Sequence, residues 1–93
     1  MKSTDLKLYA RVLQEIQELL AHKDKLGISN LPSEFNGIAS DMLYDEGIEN
    51  EAFVLFVDAL IQECEHKSDG EILDRFQLVE SVLKLIYDRS KNL

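Results

Sequence analysis

Glu63-Cys64-Glu65-His66 is where residue types and spacing come nearest to chemistry. A Glu and a His three positions apart on a helix form the half-site of di-iron carboxylate bundles. That centre needs a second copy of the motif and two further inward glutamates. The other histidine, His22, has Glu18 four positions before it, and the last helical segment has no histidine. A calcium loop fails on register. With its glycine at position six, Gly47 would put Met42 at position one, where an oxygen ligand is required. No Gly-rich phosphate loop and no Cys-x-x-Cys pair occurs. Cys64 falls on an apolar helical face, where a thiol acts as a small hydrophobe rather than a nucleophile. Both histidines fall at the ends of helical segments, where an imidazolium complements the helix dipole. The chain reads as a non-enzyme, with no catalytic residue, no metal and no cofactor.

Recognition chemistry is better represented. Between Lys25 and Lys67 there is no Lys or Arg, yet this stretch holds nine carboxylates. Residues 1–33 carry five basic and four acidic side chains and residues 66–93 carry five of each, so all of the excess negative charge behind the net −8 sits in the middle block. A localised field of one sign attracts basic partners and repels nucleic acid and anionic membrane. Glu49 and Glu51 suit a helix N-terminus, but Asp45 and Glu46 fall at a helix C-terminus, where negative charge is unfavourable by about 0.3–1 kcal/mol each. Asp41, four positions before Asp45, adds a like-charge pair. No cation near in sequence offsets these acids, and local rules broken without compensation mark functional surface. Tyr44 and Leu55 fall off the apolar stripes among these acids, as an aromatic and an aliphatic anchor would. The expected partner-binding set is Asp41, Tyr44, Asp45, Glu46, Glu49, Glu51, Leu55 and Asp58.

The elements that must position them are helices. Thr4 to Lys25 carries an apolar stripe, Leu6, Tyr9, Val12, Leu13, Ile16, Leu19 and Leu20, at steps of three and four. Ser3 or Thr4 suits the N-cap and Asp5 the first turn, while Gly27 and Ile-Ser-Asn-Leu-Pro punctuate the end. A second helix is expected from Pro32 to a left-handed Gly47, burying Phe35, Ile38, Ala39, Met42 and Leu43. Gly37 inside it costs up to about 1 kcal/mol relative to Ala. A third runs from Glu49 or Asn50 to His66. Its apolar residues cover more than half the helical circumference, with Glu51, Asp58, Gln62 and Glu65 as a narrow polar strip, so a central position is expected. Ser68-Asp69-Gly70-Glu71 spells a capping box. It opens a fourth helix to Ser90 that buries Ile72, Leu73, Phe76, Val79, Val82, Leu83 and Ile86, with Arg89 and Lys91 complementing its end. No strand-type alternation or repeat occurs. The fold class is all-α, an antiparallel four-helix bundle, with residues 1–93 as a single domain.

A hydrophobic fraction of 45% is that of a folded protein rather than a disordered acidic tail. The single Cys excludes an intrachain disulfide. The start, Met-Lys-Ser-Thr-Asp-Leu-Lys, lacks an apolar signal core, and no apolar run approaches the roughly 20 residues that span a bilayer. The expected setting is cytoplasmic, away from membrane.

In size, acidity and helical pattern the chain resembles bacterial toxin-immunity proteins, at the level of a class. Gly37-Ile-Ala-Ser-Asp-Met-Leu-Tyr-Asp-Glu-Gly-Ile48, with Glu51-Ala-Phe after it, is similar to the middle of some helical members. The resemblance implies a protein that neutralises a basic nuclease-type toxin. Asp41, Asp45, Glu46, Glu49, Glu51 and Asp58 would pair with toxin residues that otherwise hold phosphates, while Tyr44 and Leu55 anchor. Two other classes fit the same charge. One is a phage-type nucleic-acid mimic or anti-defence protein, although mimics spread carboxylates more widely. The other is a helical adaptor that self-associates through the apolar third helix.

Overall fold

The computed structural model describes residues 3–91, with the side chains of residues 6–90. All regular structure among them is helical. Helix α1 spans Ser3–Ala21, a short α2 spans Lys23–Leu26, and a 3₁₀ turn covers Ile28–Asn30. Then come α3, Leu31–Tyr44, α4, Glu51–Cys64, and α5, Asp69–Lys91. The capping roles expected of Ser3, Thr4, Asp5 and Lys91 lie outside the described side chains.

The first segment is therefore not one helix. At His22 the backbone N–H donates to both Glu18 O and Leu19 O, and the ring Nδ1 donates to Glu18 O at 2.8 Å. These bonds satisfy the last carbonyls of α1 and let α2 set off separately. Asn30 then ties the bend together by donating to Leu26 O at 2.9 Å. Pro32 stands in the first turn of α3 as expected, but the helix begins one residue earlier. Leu31, which reads as loop punctuation, is fully buried.

α1 packs against α5 and α3, and α4 packs against the same two helices. Ion pairs tie together two of these contacts. Arg11 of α1 meets Glu46 just past the end of α3, and Glu63 near the end of α4 meets Arg75 near the start of α5. This ring of neighbours is the one an up-and-down bundle requires. Each long helix turns one stripe inward: Val12, Leu13, Ile16 and Leu19; Phe35, Ala39 and Met42; Phe53, Val57, Leu60 and Cys64; Ile72, Phe76 and Leu83. Phe35 sits at the junction, edge-on to both Phe56 and Phe76 at 6.2 Å between ring centres. Such contacts contribute about 0.5–1.5 kcal/mol each beyond area burial.

Two expectations about burial are corrected. α4 is not central: Ala52, Val54 and Ala59 face solvent, because a ring of four helices offers each member only an inner side and two flanks. On α5, Val82 is exposed rather than buried, as are Leu78 and Leu85. Among the described residues no helix is long and apolar enough to cross a membrane.

Candidate functional site

The Glu63–His66 tetrapeptide does not form a helical half-site. α4 stops at Cys64, and His66 lies beyond it with φ of 58°, a left-handed conformation. Glu63 turns to Arg75 at 3.5 Å, and Cys64 is buried, with burial the main cause that pushes its thiol pKa up. A raised thiol pKa leaves little thiolate at neutral pH. Among the described residues no three His, Cys, Asp or Glu side chains are grouped as a metal site would need.

The acidic residues are positioned by the end of α3, the segment after it, and the start of α4. α3 ends because Gly47 takes φ of 66°, which reverses the chain, and Ile48 N–H closes the turn on Met42 O at 3.1 Å. α4 starts because the Asn50 side chain accepts the Phe53 N–H at 2.9 Å, a side-chain N-cap. Asp45, Glu46 and Glu49 are thereby held between two ordered ends, all three exposed.

Glu46 is not the uncompensated charge that sequence spacing suggested. Arg11 Nη1 and Nη2 donate to its two carboxylate oxygens at 2.8 and 3.0 Å, while Arg11 Nε donates to Glu15 at 2.9 Å. The Glu46 bond first, then Glu15, holds the guanidinium pKa above its ordinary value. The arginine also supplies a cation at the C-terminus of α3, where the dipole favours one. The missing compensation comes from tertiary structure. Asp41 and Asp45 have no such cation among the described residues.

The expected set therefore divides. Asp41 and Asp45 continue the helical flank of Ile38, which lines the groove against α1 and α2 with Leu19 and Leu26. On the other side, Ser33 and Asn36 of α3 line a shallow, open groove with Asp58 and Gln62 of α4 and with Glu65 just past its end. Leu55 and Glu51 continue the Asp58 stripe at helical spacing. Tyr44 follows Ser33 and Ser40 at the same spacing and stands on the ridge between the two acidic flanks, 84% exposed. Leu55 is 63% exposed. Tyr44, Glu51, Leu55 and Asp58 thus belong to one outward face of α3 and α4, which Gln62 and Glu65 extend. Those two follow from the period of the stripe itself, counted on from Glu51.

An aromatic and an aliphatic side chain on a carboxylate-rich face can fill pockets in a partner and steer basic groups to their rim. No family model, curated protein or solved structure matches the chain.

Proposed function

We propose that this protein is an acidic binding module that docks a basic protein surface through the outer face of α3 and α4. We further propose that its partner is a nuclease-type toxin which it neutralises as an immunity protein does. The observation that carries the reading is Tyr44, 84% exposed on the ridge between two acidic flanks, one of which carries Asp41 and Asp45, without an ion-pair partner among the described residues. Exposing that much aromatic surface gains nothing for the fold, whereas at an interface it supplies rigid contact area at low entropy cost. The surrounding charge gives fast, oriented encounter with a cationic cleft. A nuclease holds phosphates with Lys and Arg, and carboxylates presented to those groups compete for the same bonds. The narrower assignment, to immunity, draws on the class resemblance of the middle segment.

The test is co-expression with the toxin-like nuclease of an adjacent gene, followed by binding kinetics on the purified pair. Protection of growth is expected. Asp58→Lys should slow association several-fold and flatten its salt dependence. Tyr44→Ala should raise the dissociation rate about tenfold or more. Glu18→Lys, an exposed reversal on α1, is the matched control. Glu15 does not serve, since it pairs with Arg11. Equal damage from Glu18→Lys, or no protection, overturns the reading.

A further inference from the structure

α5 turns a second apolar stripe outward. Leu78, Val82 and Leu85 are 55%, 47% and 54% exposed and recur at steps of four and three, a coiled-coil seam two layers deep. The same spacing reaches Arg75 and Glu71 toward the start of the helix and Arg89 toward its end. Among the described residues no element covers this seam.

We propose that the seam seats the α5 of a second copy of this chain, packed antiparallel about a twofold axis. Charge selects that occupant. The middle block, with nine carboxylates and no Lys or Arg, repels its own copy, whereas residues 66–93 carry five charges of each sign. Two copies can therefore meet through α5 without opposing like fields. Register selects it again. In an antiparallel pairing that sets Leu78 of one copy against Val82 of the other, Leu85 lies along the aliphatic stem of Arg75. The same register sets Glu71 opposite Arg89, and the twofold axis repeats every pair. One alignment thus joins the apolar layers and closes both ends with opposite charges.

The flank of α4 that borders α5 leaves room for this approach. Ala52 and Ala59 are exposed there, on the same stripe as Phe56, which lines a cavity with Leu83, and Glu63, which meets Arg75. From Glu71 to Arg89 the seam is about 27 Å long. One helix face of that length buries less than the roughly 800 Å² per partner of a standard interface, so the dimer is weak and in exchange. It leaves the α3–α4 face free and does not depend on the function proposed for that face.

Sedimentation velocity of the full chain from about 10 μM to about 1 mM tests the idea, since a dimer this small forms across that range. The expected result is a sedimentation coefficient that rises toward the dimer value. Val82→Glu should hold it at the monomer value. Arg89→Glu, which faces Glu71 with like charge, should weaken association tenfold or more. Glu71→Gln keeps the capping geometry and should weaken it a few-fold. Leu55→Glu on α4 should leave it unchanged. Circular dichroism checks each fold; if Val82→Glu unfolds, the exposed Arg89→Glu decides. A monomer at every concentration, association unaffected by Arg89→Glu, or association lost in Leu55→Glu would overturn the proposal.

Discussion

Glu46 opposes the dipole of the helix it follows, and Arg11 answers it from 35 positions away in sequence. Both side chains are partly solvated, so the pair contributes little: a double-mutant cycle of Arg11→Met and Glu46→Gln should give a coupling of about 0.2–1 kcal/mol. The pair also changes which charge reversals are informative. Glu46→Lys would set two cations together, whereas Asp45→Lys meets no arginine and suits the helix end. Ser68 and Glu71 form the complementary case, a local interaction that spacing alone foretold. Glu71 accepts from the Ser68 hydroxyl at 3.0 Å and from its backbone N–H at 3.3 Å, and the Ser68 hydroxyl accepts the Glu71 N–H at 3.3 Å. The hydroxyl bond first, then the backbone bond, holds the Glu71 carboxyl below its ordinary value of 4.5. A carboxyl made more acidic by folding contributes stability above its unfolded value, and that contribution is lost as pH falls through the lower folded one. Ser68→Ala should cost about 1 kcal/mol at pH 7 through the lost N-cap hydrogen bond, read by urea unfolding. The gap should narrow as pH falls through the lowered value of the Glu71 carboxyl. An unchanged gap would detach the cap from that carboxylate.

At the scale of the element, two glycines on one helix and its turn should respond in opposite directions. A methyl group at Gly37 meets nothing within 4 Å in the interior of α3, so Gly37→Ala should stabilise the fold by up to about 1 kcal/mol through helix propensity. Gly47 is as open to solvent, but its φ of 66° belongs to the left-handed region, so Gly47→Ala should destabilise by about 1–2 kcal/mol. Paired thermal melts read both signs; a stabilising Gly47→Ala would assign Gly47 a different conformation in solution. Gly47 and the Ser68 box were legible because each rests on a few neighbouring residues. The break at His22 was not, since the bend is marked by hydrogen bonds to backbone carbonyls, from the His22 N–H and ring and from Asn30, that no spacing announces. Leu31 was hidden by the Asn and Pro beside it, and its burial depends on α3 starting one residue early. α4 was read as central from its composition. Apolar residues over more than half of a helix do not guarantee neighbours around it, and the exposed Ala52, Val54 and Ala59 are the consequence.

For the whole molecule, the candidate site was legible as a charge block but not as a surface. Periodicity shows which residues share a stripe, but it does not tell which stripes adjoin. Asp58 therefore could not be joined to Ser33 and Asn36, nor Glu46 removed from the unpaired set, before the helices were placed. The excess charge stays on α3, α4 and the segments that follow them, largely without cations among the described residues. Among the described residues, Arg11 and Arg75 are the basic side chains that pair with it, at Glu46 and Glu63. Carboxylates held closer together by folding repel one another more than in the unfolded chain, and salt screens that repulsion. Raising NaCl from about 10 mM to about 0.5 M should therefore raise Tm, because the Debye length shrinks from roughly 30 Å to below 5 Å. Asp45→Lys should reproduce part of that gain at low salt and lose its advantage at high salt, since both act on one field. Calorimetry over a salt series on the two proteins measures this directly. If Tm falls with salt, attractive pairs such as Arg11–Glu46 outweigh the acidic block. The block would then be too dispersed to steer a basic partner, and Tyr44 would have to hold that partner largely by contact.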